Sequence, residues 1–296
     1  MPTGLLHTTN SFEQEDVIHA SEAGLFSPRA LTLDPAKFTA NANAKKILRA
    51  GSIIYKIAGA TMHRAGIRTK LDAAITASST TVLDLVQQGA IHKSETAGYF
   101  VAGDVLKVLR PYGSITLADT WAGSDTATAT VDGHAVTFTA AGATLADIAT
   151  GLAAAINADP ILSKLVVAIA DGAVVYIFSL SLKPYSLAAA ETTAGDGTAT
   201  ASGTDLTGNV TIGTIASNGV DVPNGQVTLA AAAAISLPSG APIGIEGTPW
   251  GLTMGAFDIG KADNDVTGFT GGPVYGDRLV YWDDDIAAAL PQITFV

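Results

Sequence analysis

Five histidines, His7, His19, His63, His92 and His134, come first, because imidazole is the commonest metal ligand and the usual proton carrier near neutral pH. They fall in five separate segments with no close pair and no HExxH spacing, so a surface or structural role is the reading for each. Cysteine is absent, which removes thiolate metal sites, thiol nucleophiles and disulfides together, and no GxSxG occurs. Carboxylates are plentiful but do not pair. Asp283, Asp284 and Asp285 are consecutive and point to different sides of any element, so they are better explained as the N-terminus of a helix ahead of "IAAAL". Asp263-Asn264-Asp265 has the start of a calcium loop without its glycine and distal glutamate. Gly195 and Gly197 lie in a low-complexity stretch with no helix after them to form a phosphate cradle. No catalytic, cofactor-binding or metal-ligating residue is assigned, and the expectation is a protein that is not an enzyme and carries no cofactor.

The elements that could hold any site are clearest in "TATVDGHAVTFTAAGATLADIATGLAAAINADP", residues 128–160. Ala129 and Val131 alternate with Thr128 and Thr130, Asp132-Gly133 fits a tight hairpin turn, and Val136 and Phe138 continue the alternation on the return. Thr144 is placed to cap a helix, with Asp147 three residues on. Leu145, Ile148, Ala149, Leu152, Ala155 and Ile156 follow at helical spacing, and Asp159-Pro160 ends the run. A second hairpin is expected in "VVAIADGAVVYIFSL" around Asp171-Gly172. The unit, ββαββ over residues 115–205, is built to pack rather than to react.

The rest reads as β structure: "KKILRAGSIIYKIAG" after a turn at Ala50-Gly51, "TTVLDLVQQ", "GYFVAGDVLKVLRPYGSITL", "VTIGTIAS" with a turn through Asn218-Gly219, "GQVTLAA" and "APIGIEG". The stretch 188–209 reads as a low-complexity loop or weak edge strand. Residues 1–44 show no sustained period and are expected to form an extended arm that needs something to lie against. The fold expected is mainly β, a barrel or sandwich in residues 45–114 and 206–296, interrupted by the small α+β insert 115–205 and preceded by the arm.

Charge narrows the partners. Residues 1–110 hold 12 Lys and Arg against 9 Asp and Glu, whereas 111–296 hold 4 against 18, an acidic body that would repel a phosphate backbone. Nucleic acid is therefore not an expected partner, although Lys45, Lys46, Arg49, Lys56, Arg64, Arg68 and Lys70 form a basic run. The start of the chain lacks a basic flank with a continuous apolar stretch, and "LAAAAAISL" (229–237) is too short to span a bilayer, so neither a secretory signal nor membrane insertion is expected.

The stretch "SDTATATVDGHAVTFTAAGATLADIATGLAAAINADP" resembles a module of structural proteins of tailed bacteriophages, and "ILRAGSIIYKI", "FVAGDVLKV" and "VTIGTIASNGVDVPNGQVTLAAAAAISLPSGAPIGI" resemble pieces of head decoration, or capsid cement, proteins. The resemblance covers residues 45–296 in pattern and implies a virion protein assembled in the bacterial cytoplasm. It further implies binding to the major capsid protein on the outer surface of the head, as a trimer or dimer, to cement capsomers against the pressure of packaged DNA. Arg49, Lys56, Arg64 and Arg68 are the expected capsid-facing residues, and Tyr275, Tyr281, Trp282 and Phe295 the expected subunit contacts. Two alternatives stand beside it: a tail tube or fibre-associated subunit, and a cell-surface adhesin or carbohydrate-binding module stacking ligands on Trp121, Tyr185 or Trp250.

Overall fold

The structure, a computed structural model, describes residues 28–41, 43–56, 63–65, 68–86, 97–140, 144–192, 194, 196–253, 257–259, 265–274, 279 and 284–295. It is β-rich. The largest sheet runs β5 (Arg68–Lys70), β17 (Pro242–Gly244), β7 (Val105–Val108), β15 (Val210–Asp221), β16 (Gln226–Leu229), β6 (Val82–Asp84), with antiparallel neighbours throughout. Leu71, just past β5, bridges Leu85, just past β6, and the Val86 N–H donates to the Lys70 carbonyl at 2.9 Å. The two edges of the sheet therefore meet and the strands curl into a small barrel, which hides the unpaired backbone that an open edge would present.

A second sheet runs β1 (Pro28–Thr32), β20 (Asp265–Phe269), β18 (Thr248–Thr253), β3 (Ile53–Lys56), β4 (His63–Ala65). Alternation along β3 splits its side chains between two cores. Ile54 joins the main core with Leu33, Phe100 and Leu106, while Ile53 and Tyr55 pack with Leu252, Ile286, Leu290 and Ile293. Both faces are covered, which is why β3 reads as a continuous apolar run. The short helix Asp284–Ala289 begins at the aspartate triplet and closes the outer face. Two small pairings complete this part: β2 (Ile47–Leu48) with β19 (Phe257–Asp258), and β21 (Gly272–Val274) parallel to β22 (Ile293–Phe295).

The chain from 28 onward already belongs to this scaffold, so the expected arm of residues 1–44 is shorter than its composition indicates. Strand β1 pairs along its length with β20, Leu33 and Phe38 are buried in the main core, and the Thr39 N–H donates to the Gly98 carbonyl at 2.9 Å. Two isolated apolar residues either side of Asp34-Pro35 anchor a stretch too short and too polar to show a period. Residues 1–27 lie outside the described residues.

Between β7 and β15 the chain builds a separate core, drawn from Ile115 to Leu206. Among the described residues seven strands surround one α-helix. The first hairpin is β9 (Thr126–Val131) with β10 (His134–Thr139), and β13 (Leu187–Thr192) pairs on the other side of β9. The second sheet runs β11 (Val166–Asp171), β12 (Val174–Ser179), β8 (Tyr112–Ala118), β14 (Thr198–Ala201). The Thr- and Ala-rich stretch after residue 188 thus supplies two edge strands, β13 and β14. The helix, Leu145–Ala158, starts with a full capping box: the Asp147 N–H donates to Thr144 Oγ1 at 3.3 Å and the Thr144 N–H donates to Asp147 Oδ2 at 3.1 Å. Ile148, Ala149, Leu152, Ala153 and Ile156 form its buried face.

Two turns differ from their sequence readings. Asp132 and Gly133 both have positive φ (50° and 82°), as a type I′ hairpin requires, but in the second hairpin Asp171 pairs with Val174 and only Gly172 (φ 55°) is left-handed. The loop there is Gly172-Ala173, the arrangement of a type II′ turn with glycine first. Asn218-Gly219 is no hairpin turn. It is an irregularity inside β15, where the register to β16 shifts between Ile215 and Val220 and Asn218 takes φ 58°. The reversal comes at residues 222–225, ending on Gly225 with φ 65°.

Candidate functional site

The most concentrated polar chemistry inside the scaffold lies where β4, β7 and the turn Ala97–Tyr99 meet. Arg64 and Asp104 are 7% exposed each and form a two-pronged pair, Nη1 to Oδ1 at 2.8 Å and Nη2 to Oδ2 at 2.9 Å. Arg64 Nη2 also donates to the Tyr99 carbonyl at 3.1 Å, and Asp104 Oδ2 accepts from the Val101 N–H at 3.0 Å. The Tyr99 hydroxyl then accepts from the Arg49 N–H and lies 3.1 Å from Ser52 Oγ. From Ser52 the connections continue, since its N–H donates to Thr253 Oγ1 at 3.0 Å and Thr253 Oγ1 donates to the Arg49 carbonyl at 2.8 Å. Fork-to-fork pairing of this kind fixes geometry. Both Nη groups of Arg64 and both Asp104 oxygens are used within it, while Arg64 Nε is buried without a partner among the described residues, so the network ties strands together rather than presenting a reactive atom.

That network relocates part of the expected capsid-facing set. Arg64 is enclosed and its charge is spent on Asp104, and Arg68, 8% exposed on β5, is buried as well. Both stand in short strands whose neighbouring residues, Ala65 and Thr69, are buried as well, and for Arg64 the enclosed Asp104 supplies the countercharge. Arg49 is half-buried in the loop between β2 and β3, and Lys56 is exposed at the end of β3. Of the expected subunit contacts, Tyr275, Tyr281 and Trp282 lie outside the described residues, and Phe295 stands in β22, opposite Val274. The proposed stacking rings are mostly unavailable. Trp121 (8% exposed) and Tyr185 (6%) belong to the core of the insert, with Trp121 Nε1 donating to the Ala118 carbonyl at 2.8 Å. Trp250 is half-buried, its ring 5.1 Å from that of His63.

The remaining arrangement of interest is a cleft of about 360 Å³ at the joint between the insert and the barrel. The sheet β11-β12-β8-β14 sends Val175, Ile177, Ile115 and Leu117 towards the helix. Its other face carries Phe178 and Tyr176 into contact with the scaffold core. Tyr112 stacks on Phe178 with ring centroids 5.6 Å apart and planes 18° from parallel. Beyond this aromatic contact the face opens, and Tyr112, Ser114, Tyr176, Ser202 and Asp205 line one side while Ile235 and Ser236 of the scaffold line the other. Burial raises the Tyr112 phenol above its ordinary range, helped by Tyr176, and burial raises Tyr176 as well, helped by Asp171. None of these residues stood out in sequence. The available signal was the pair of tyrosines in strands whose opposite faces are apolar, which becomes a site only once β8 and β12 are known to be neighbours.

Among the described residues no cluster of three or more His, Asp or Glu side chains could hold a metal ion, and no helix is long and apolar enough to cross a membrane. No family model matches the chain, and no curated protein matches it. Among solved structures, a chain from Mycobacterium phage Patience aligns with 71% of this chain and 94% of its own length, at 11% identity and a TM-score of 0.23. No residue correspondence is drawn from a likeness of that size.

Proposed function

We propose that the chain is a structural subunit of a phage virion that binds the outside of the capsid through its β scaffold and cements capsomers, with the insert directed away from the shell. The observation that carries this reading is the division of the molecule into two parts with separate cores and different charge. Residues 115–205 contain Lys164 and Lys183 against nine Asp and Glu, and Asp119, Asp132, Asp147, Asp171, Glu191, Asp196 and Asp205 are exposed. An acidic outer module favours solvent and keeps like particles apart. The scaffold contributes broad β surface and exposed cations such as Lys56 and Lys70, which suits attachment by area rather than by a pocket. The partners in this reading are the major capsid protein and further copies of the chain, as a trimer or dimer.

Co-sedimentation with expanded heads that lack the protein tests it, comparing the full chain with a variant missing residues 1–27, the segment ahead of β1. The proposal expects saturable binding by the full chain, weaker binding by the shortened one, and heads that resist heating better when decorated. Absence of binding by the full chain, or pelleting with isolated tails instead, would move the assignment to the tail. An adhesin stacking ligands on Trp121 or Tyr185 is disfavoured because both rings are enclosed.

A further inference from the structure

The cleft between insert and barrel is lined by hydroxyl groups to a degree that packing does not explain. Neither the Tyr112 nor the Tyr176 hydroxyl has a hydrogen-bond partner among the described residues, although both rings line the cleft. On the neighbouring strands Ser114 sits opposite Tyr176 and Tyr112 opposite Phe178, so the two phenols and the serine share one sheet face. Ser202 Oγ accepts from the Ser114 N–H at 2.9 Å and Ser236 Oγ accepts from the Ala77 N–H at 2.9 Å. Each serine hydroxyl is thereby held in place with its own proton free to donate. Asp205 adds an exposed carboxylate at the rim, one oxygen of which accepts from Thr204 Oγ1.

This lining selects among ligand classes. An apolar molecule would strip water from hydroxyls and give nothing back. An anion would find no Lys, Arg or His in the lining and would face Asp205. A neutral polyhydroxylated ring fits both halves of the chemistry: its C–H face lies on aromatic carbon and its hydroxyls exchange hydrogen bonds with phenol, serine and carboxylate. The volume, about 360 Å³, is at the small end of the ~300–1,000 Å³ range of ligand sites, which limits the ligand to a mono- or disaccharide unit. The ring planes are set in advance, since Tyr112 is stacked on fully buried Phe178 and Tyr176 is anchored in the scaffold core. We propose that this cleft is a binding site for a neutral saccharide unit, with the half-buried Tyr112 ring as the platform and the hydroxyl edge of the enclosed Tyr176, together with Ser114, Ser202, Ser236 and Asp205, as the hydroxyl-reading groups. The site is independent of capsid attachment, and its test needs no heads.

The experiment uses the purified full chain and its Tyr112→Phe and Tyr176→Phe variants. Each substitution removes only a hydroxyl that has no protein partner, so the variants keep the melting temperature of the parent. Glucose, galactose, mannose, N-acetylglucosamine, maltose and lactose are titrated up to about 50 mM by saturation-transfer NMR, with inorganic phosphate and sialic acid as anionic controls. Saturable binding of at least one neutral sugar at about millimolar affinity, weakened about tenfold or more in either variant, establishes the site. Silence from all six sugars, binding unchanged in both variants, or preference for the anions overturns it.

Discussion

Asp104 sets the clearest expectation for a single side chain. Removing it leaves the Arg64 guanidinium enclosed with its hydrogen bond to the Tyr99 carbonyl and no countercharge from Asp104, and stranding one half of a buried pair costs about 3–5 kcal/mol. Asp104→Ala should therefore lower stability by that order in chemical denaturation, while Arg64→Met with Asp104→Leu together should cost less than the single change. A second prediction concerns acid. The Asp159 carboxyl is held below its ordinary range first by the Leu162 N–H, at 2.8 Å, and then by His134, at 3.0 Å. A carboxyl with a lowered folded value stabilises the fold above its unfolded value of about 3.9 and loses that contribution as pH falls through the folded value. The melting temperature of the parent should exceed that of Asp159→Asn near pH 5, and the gap should close as pH falls below about pH 4. A gap that widens on acidification would contradict the assignment.

At the scale of elements, the helix of the insert shows how a local rule yields to packing. Glycine costs about 1 kcal/mol in a helix interior relative to alanine, yet Gly151 stands in the middle of Leu145–Ala158. An added Cβ there would come 2.2 Å from the Phe138 ring, which lies across the helix at this point. Gly151→Ala should accordingly destabilise the protein despite its better propensity, and a gain in denaturation midpoint would show that the ring does not rest there. Legibility in the sequence followed the same division. The capping box, the helix face and the Asp132-Gly133 turn are local, and the residues that make them are adjacent in the chain. Asn218-Gly219 misled because an Asn-Gly pair suits any left-handed step, and here the need for it comes from a neighbour: a Cβ on Gly219 would lie 2.5 Å from the Thr228 carbonyl oxygen. Likewise, nothing local places Arg64 inside, because Asp104 is 40 residues away. The cleft was invisible for the same reason, as its lining is drawn from residues near 112–114, 176, 202–210 and 235–236, which only strand pairing and the joint between insert and barrel bring together.

For the whole molecule, the question is how firmly the insert is fixed to the barrel. Strand β12 answers it, because Val175 and Ile177 belong to the core of the insert while Tyr176 and Phe178 belong to that of the scaffold. One strand thus serves two cores, and the insert should unfold together with the barrel in a single calorimetric transition. Phe178 is fully buried at this joint, and Phe178→Ala, a loss of about 3–5 kcal/mol, should split the transition in two. A single transition in the variant would mean that the two parts are coupled elsewhere. A firm joint matters to the proposed role, since a projecting module on a pressurised shell must hold its orientation. The most direct test is a cryo-electron microscopy difference map between bare and decorated heads. The account predicts density on the outer surface at capsomer junctions, with the barrel against the shell and the seven-stranded insert outermost; density confined to the tail, or no added density on the shell, would contradict it.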